Sequence, residues 1–199
     1  MRIFGIILAG GQGRRMGTVG QGADKALLPL AGRPLIAHVC DRLEPQVEAL
    51  AVSANGDPAR LRRFGLPVLA DDTPLGPLAG ILQGLLWAGA QGADALVSAP
   101  VDAPFLPGDL TPRLILAADG PGLALARSGG RLHPTFGLWP VALAPDLAGF
   151  LASGAKPKVM DFALSQGAAI ADFPDDGAFS NLNTPEDLAA AAALIGGPA

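Results

Sequence analysis

IFGIILAGGQGRRMG, residues 3–17, sets an apolar run directly against a segment that holds four glycines and two arginines. A short apolar run bounded by glycine reads as a buried strand. The glycines beyond it, Gly10, Gly11, Gly13 and Gly17, remove side chains where backbone must approach a ligand, and consecutive amides in such a loop form an anion-binding concavity. Arg14, Arg15 and, after the intervening TVGQGA, Lys25 add positive charge. Such a segment suits a bound phosphate better than a packed core.

Outward from this loop, strand and helix patterns alternate. Residues 2–8, 47–53, 66–70 and 93–100 read as strands, with helices at 34–44, 57–63 and 76–90 between them. Alternation of this kind predicts an α/β chain with a mainly parallel sheet, helices on both faces and right-handed crossovers. Ligands then lie beyond the carboxyl ends of the strands, which directs attention to the loops after Leu8, Val52, Leu69 and Val97. The second half is less regular. GLALARSGGRLHPTFGLWP at 122–140 predicts a β-hairpin turning at Gly129-Gly130, a small antiparallel element attached to the parallel sheet. Helices are expected at 141–152 and 157–165, a strand at 168–173, and a last helix started by Thr184-Pro185-Glu186-Asp187.

Composition narrows the possibilities. A length of 199 residues favours one domain, residues 1–199, and half of them are hydrophobic, enough for a sizeable core. The 27 glycines and 19 prolines imply many turns. Cys40 is the only cysteine, so no disulfide framework exists, and a reducing, cytoplasmic setting is expected. The N-terminal apolar run lacks the length of a signal peptide and is far too short to span a bilayer. A net charge of −4 argues against nonspecific nucleic-acid binding. No membrane or nucleic-acid partner is expected, and any anion site must concentrate its charge locally. No His/Cys spacing suggests zinc, and no G-x-S-x-G suggests a serine hydrolase.

The glycine loop matches neither familiar nucleotide motif. Met16 stands where G-x-G-x-x-G requires glycine, and Lys25 follows Asp24 where a Walker A loop requires glycine. A mobile glycine-rich loop with solvated arginines is the simpler local reading. LAGG-x-G-x-R-M-G followed by DK and L-x-G-R-P-L, however, resembles the N-terminal signature of nucleotidyltransferases. The further segments GPLAGI (76–81), SAPVDAPFLP (98–107), HPTFGLWP (133–140) and NLNTPEDL (181–188) resemble molybdenum cofactor guanylyltransferases, in order and over nearly the whole chain. The cytidylyltransferase branch of the same pathway typically has LAAG where Leu8-Ala9-Gly10-Gly11 stands here.

The resemblance implies a three-layer Rossmann-like nucleotidyltransferase fold, a nucleotide-binding half up to about residue 105 and an acceptor-binding half beyond it. It also implies GMP transfer from GTP to the molybdopterin cofactor with release of pyrophosphate, Mg²⁺ as the metal, and contacts with molybdenum-insertion proteins and molybdoenzyme chaperones. A sugar-phosphate-type nucleotidyltransferase and a noncatalytic nucleotide-binding chaperone are the alternatives. By the same resemblance Asp102 holds the metal and acts in catalysis with Lys25 and Arg15. Nucleotide contacts fall to Leu8, Ala9, Gly10, Gly11, Gly13, Arg14, Lys25, Asn55 and Asp71, and the pterin side of the cleft to His133, Asn181 and Asn183.

Each assignment has a plainer counterpart. Asp102 also suits a turn before Pro104, Asp72 competes with Asp71, Asn55 suits a loop before Gly56, and Asn183 suits the start of the last helix. Lys156 and Lys158 could meet the acceptor phosphate or be solvated. Trp87, Trp139 and His38 read most simply as packing. The six residues TVGQGA lengthen the segment before Lys25 relative to the family pattern, which puts the reach of Lys25 in question.

Overall fold

The computed structural model describes residues 1–10, 24–70, 75–120, 122–154 and 158–196. Its strands are β1 (Ile3–Leu8), β2 (Pro29–Leu30), β3 (Arg33–Pro34), β4 (Ala49–Ser53), β5 (Val68–Leu69), β6 (Ala95–Pro100), β7 (Ala124–Ser128), β8 (Arg131–Pro140) and β9 (Ala169–Phe173). Its α-helices are α1 (Leu35–Leu43), α2 (Pro77–Ala90), α3 (Leu110–Ala118), α4 (Ala144–Ala152), α5 (Val159–Ser165) and α6 (Pro185–Gly196).

Seven strands form one sheet in the order β5-β4-β1-β6-β8-β7-β9, and β2 and β3 pair separately. Only β8 runs against its neighbours in the large sheet; β1 is parallel to both β4 and β6. The chain leaves β1 toward β4 on one side and later returns to β6 on the other. The strand order therefore reverses at β1, and ligands of such sheets bind in the crevice outside the carboxyl ends of the strands at that point.

Alternation along β1 builds both layers. Ile3 and Ile7 face a core that includes Ile36, Val39 and Leu43 of α1 and Leu110 and Leu114 of α3. Phe4 and Ile6 face the opposite core, with Leu78, Ile81 and Leu85 of α2, Leu147 of α4 and Phe162 of α5. A third, smaller cluster of Leu28, Leu30, Leu35, Leu182 and Ala191 fastens α6 over the β2-β3 hairpin.

The expected α/β alternation and the Gly129-Gly130 hairpin are present. Both turn glycines have positive φ, 51° and 75°, as a tight two-residue turn requires. The expected helix at 57–63 is a 3-10 helix, Pro58–Phe64, closed by Gly65 in the left-handed region. Helix α3 has no counterpart in the sequence-based expectation. Prolines at 104, 107 and 112 break up the pattern around it, although Leu110 and Leu114 repeat at helical spacing and are fully buried.

Gly80 draws the start of α2 onto the sheet's carboxyl end. A Cβ there would collide with Ser53 Oγ and stand 3.0 Å from Ser53 Cβ and 3.1 Å from a Leu8 methyl. Replacing a helical glycine ordinarily gains up to about 1 kcal/mol of propensity, but overpacking here costs more. Gly80→Val is expected to lower the unfolding free energy by roughly 2 kcal/mol in a urea titration.

Candidate active site

Three segments meet at the carboxyl edge of the sheet. The first is the 3-10 turn Lys25–Leu27, which Asp24 caps by accepting from the Ala26 amide. The second is the turn after β6: the Val101 amide donates to the Leu8 carbonyl at 3.1 Å, leaving Asp102 beside the end of β1. The third is Asn181-Leu182-Asn183, held to the second by a 2.8 Å bond from the Leu182 amide to the Asp102 carbonyl. Leu182 is buried with Leu28 and Leu30, so one apolar cluster carries both the lysine turn and the asparagine segment.

Their side chains converge. Lys25 Nζ donates to Asp102 Oδ2 at 2.6 Å and to Asn183 Oδ1 at 2.8 Å. Lys25 and Asp102 are only 12% and 16% exposed, which distinguishes this pair from the solvated ion pairs elsewhere on the chain. Charge-assisted bonds of this kind are stronger than neutral ones and gain further from partial exclusion of water. Asn183 thus meets Lys25 through its side chain and also has a structural role. Its backbone amide, with that of Thr184, donates to Asp187 Oδ2, while the Asp187 amide donates to Thr184 Oγ1. This reciprocal capping box starts α6.

The turn before Lys25 has a second tie. Arg60 Nε donates to Asp24 Oδ2, and Arg60 Nη1 donates to the Asp57 carbonyl at 2.7 Å. Asp57 itself caps the 3-10 helix that carries Arg60. Neither Arg60 nor a role for Asp24 emerged from the sequence. The available signal is an arginine in the first turn of a helix that follows directly on a strand's carboxyl-end loop, N-G-D-P-A-R.

His133 lies toward the same edge, farther along the sheet. The pairing of β7 with β8 jumps from Leu125–Gly137 to Ala126–His133, so residues 134–136 bulge out of the ladder. Trp139 Nε1 donates to Ser98 Oγ, which in turn donates to the Thr135 carbonyl and pins that bulge. The His133 ring shares a 2.8 Å hydrogen bond with Ser128 Oγ and stacks on Phe179 at 4.6 Å. Burial, with Arg131 nearby, holds its pKa below the ordinary histidine value despite an opposing pull from Asp176.

Leu8, Ala9, Gly10 and Asn55 stand at the carboxyl ends of β1 and β4, with the Ala9 amide bonded to the Ser53 carbonyl at 2.8 Å. Asn181 is exposed two residues before Asn183. Gly11, Gly13, Arg14, Arg15 and Asp71 lie outside the described residues, as do Asp72, Lys156 and TVGQGA. Trp139 and His38 are accounted for by packing and hydrogen bonding, His38 through its Nε2 contact with the Leu30 carbonyl at 2.9 Å. Among the described residues no cluster of three or more His, Cys, Asp or Glu is built to hold a metal by itself.

This arrangement brings a cation, a carboxylate and an amide together at the carboxyl ends of β1 and β6, a grouping suited to a polyphosphate. The model of the MobA-like NTP transferase domain matches residues 5–167. A molybdenum cofactor guanylyltransferase from Cereibacter sphaeroides is 63% identical over 195 residues, covering 98% of each chain. The chain belongs to this family of MobA-like NTP transferases. It is a nucleotidyltransferase. Among solved structures, molybdopterin-guanine dinucleotide biosynthesis protein A from Archaeoglobus fulgidus shares the fold at a TM-score of 0.68 and 19% identity, covering 97% of this chain and 98% of that one. A 4-diphosphocytidyl-2C-methyl-D-erythritol synthase from Anaerococcus prevotii does so at 0.75 and 14%, covering 98% and 96%. At these identities the likeness concerns architecture, and it agrees with the three-layer nucleotidyltransferase fold expected from the sequence.

The capping box has a pH signature. Hydrogen bonds from the Asn183 and Thr184 amides and the Thr184 hydroxyl hold the Asp187 pKa below the usual carboxylate range. A depressed carboxylate contributes stability above its unfolded pKa of about 3.9 and loses it as pH falls through the folded value. The gap in unfolding midpoint between the wild type and Asp187→Ala should therefore be full at neutral pH and narrow steadily below about pH 4.

Proposed function

We propose that the chain transfers GMP from GTP to the molybdopterin cofactor, forming molybdopterin guanine dinucleotide and releasing pyrophosphate. One observation carries the link between site and reaction: Lys25 bonds both Asp102 and Asn183, residues that this reading assigns to the nucleotide and acceptor sides. The 63% identity to a molybdenum cofactor guanylyltransferase supports the choice of substrates. In this reading residues up to about 105 hold GTP and the remainder hold the acceptor.

The chemistry demands little covalent work from the protein. The acceptor's terminal phosphate attacks the α-phosphorus in line, the bond to the bridging oxygen breaks, and pyrophosphate departs with that electron pair. Two anions approach each other and a third leaves, so the barrier is lowered by alignment and by neutralising charge. Lys25 supplies a mobile point charge that can follow the phosphate oxygens as charge moves onto the leaving group. Asn183 Oδ1 orients the ammonium. Gly10, Gly11 and Gly13 with Arg14 and Arg15 would wrap the polyphosphate from the other side, Asn55 and Asp71 would face the nucleoside, and His133, Asn181 and Asn183 would line the acceptor.

Asp102 fits a divalent metal. It is a largely buried carboxylate already balanced by a cation, and a lone protein carboxylate suits a hard ion that takes most of its oxygens from phosphate and water. Mg²⁺ is the ion we assign, and when bound it adds charge neutralisation at the transferred phosphate. The substrates GTP and molybdopterin imply further encounters with molybdenum-insertion proteins and molybdoenzyme chaperones. A cytoplasmic setting agrees with the single thiol, Cys40, whose pKa burial raises to about 11, leaving it unreactive. Among the described residues no helix is long and apolar enough to cross a membrane.

Calorimetric titration of GTP, CTP, ATP and UTP with Mg²⁺ tests the reading directly. GTP is expected to bind most tightly, and turnover with molybdopterin should fall by about a thousandfold or more in Asp102→Ala. Preference for CTP would instead move the protein to cytidylyl transfer, and unaltered Mg²⁺-dependent turnover in Asp102→Ala would remove that residue from the site.

A further inference from the structure

The Asp24 carboxylate is divided between two tasks. Oδ1 accepts from the Ala26 amide and caps the turn that presents Lys25, while Oδ2 accepts from Arg60 Nε. Arg60 is itself anchored by Nη1 on the Asp57 carbonyl, and a Cβ placed on Gly56 would lie 3.9 Å from that same nitrogen. One guanidinium thus bridges the loop after β4 and the lysine turn after β1. Its side chain is 25% exposed and that of Asp24 18%, so the pair is not one of the solvated surface contacts that contribute little. A rigid fork with donors in fixed directions suits a residue that must hold two backbones in register.

We infer that Arg60 is a positioning residue for guanylyl transfer. Through Asp24 it fixes where the Lys25 ammonium sits, and through Asp57 it fixes the Asn55–Asp57 loop, so that the nucleoside end and the phosphate end of the site are set by one side chain. This rests on the assignment of GTP to that crevice. A structural role alone would make Arg60 a contributor to stability with no particular effect on Lys25.

The test uses the full chain with Arg60→Ala, Arg60→Lys and Asp24→Asn. The last keeps an oxygen to cap Ala26 but removes the charge that Arg60 engages. Brief acetylation with acetic anhydride, read by mass spectrometry, reports Lys25 against the exposed Lys158 as an internal reference. The Lys25-to-Lys158 labelling ratio is expected to rise several-fold in Arg60→Ala and in Asp24→Asn, and to return part of the way in Arg60→Lys. The kcat/KM for GTP should fall by about ten- to a hundredfold in the two disrupted variants, and the double variant should be no worse than either single one, since both remove the same link. An unchanged labelling ratio in folded Asp24→Asn overturns the inference even if turnover falls. If the wild type uses no GTP at all, the functional reading fails, while the labelling ratio still decides whether Arg60 positions Lys25.

Discussion

The ion pair between Lys25 and Asp102 is the constraint around which the carboxyl edge is organised. Its partners are 77 positions apart in the chain, and Asn183, which shares the lysine, is 158 positions from it. Charges removed this far from water must keep their partners, because leaving one behind costs several kcal/mol. The pair therefore demands that the β1 loop, the β6 turn and the segment before α6 arrive together. The apolar cluster of Leu28, Leu30, Leu35, Leu182 and Ala191 meets that demand. Burial of those side chains brings the segments within reach, and the hydrogen bonds then select one arrangement among those that burial alone would allow. The overall charge of −4 gives the pair further meaning. In a chain that is negative on average a local cation has to be built in, and one left only 12% exposed needs a carboxylate to stay there.

The sheet determines what surrounds that pair. Parallel order through β5, β4, β1 and β6 places four carboxyl ends side by side. Insertion of β8 in the opposite sense lets the hairpin start its second strand at the same edge, and the bulge at residues 134–136 shifts the ladder so that His133 faces Ser128. Ser98 joins the two halves. It lies in β6, the strand that leads to Asp102, and its hydroxyl links Trp139 to the bulge in β8. A substitution there would disturb both sides of the crevice from within the core.

Much of this was legible from local pattern. The alternation that gives β4, α2 and β6 and the Gly129-Gly130 turn each carry a signal in nearest neighbours. The proximity of Lys25 and Asp102 was legible only through resemblance, since nothing in the spacing of two residues so far apart states that they touch. Asn183 read two ways in the sequence, as helix start or as ligand contact, and its two ends are in fact engaged separately, its amide in the capping box and its side chain with Lys25. Helix α3 escaped notice because prolines dominate its surroundings while its helical signal rests on few buried leucines. Arg60 escaped for a different reason. Its importance lies in the partner of its partner, a relation with no sequence spacing at all.

That last relation bears on how the site responds to change. Lys25 is held by Asp102 and Asn183 at its ammonium and by Asp24 at its backbone turn, and Asp24 is held in turn by Arg60. Groups linked in this way do not contribute independently. Removing one leaves the others to hold a less defined geometry, and removing a second then costs less than it would alone. Loss of Asp102 is the exception in kind, because it strips a partly buried cation of its counter-charge and so acts on the whole assembly. The loops at the carboxyl edge of this sheet are thus joined to each other through side chains as well as to their strands, and the geometry around Lys25 follows from that cross-linking rather than from any single residue in it.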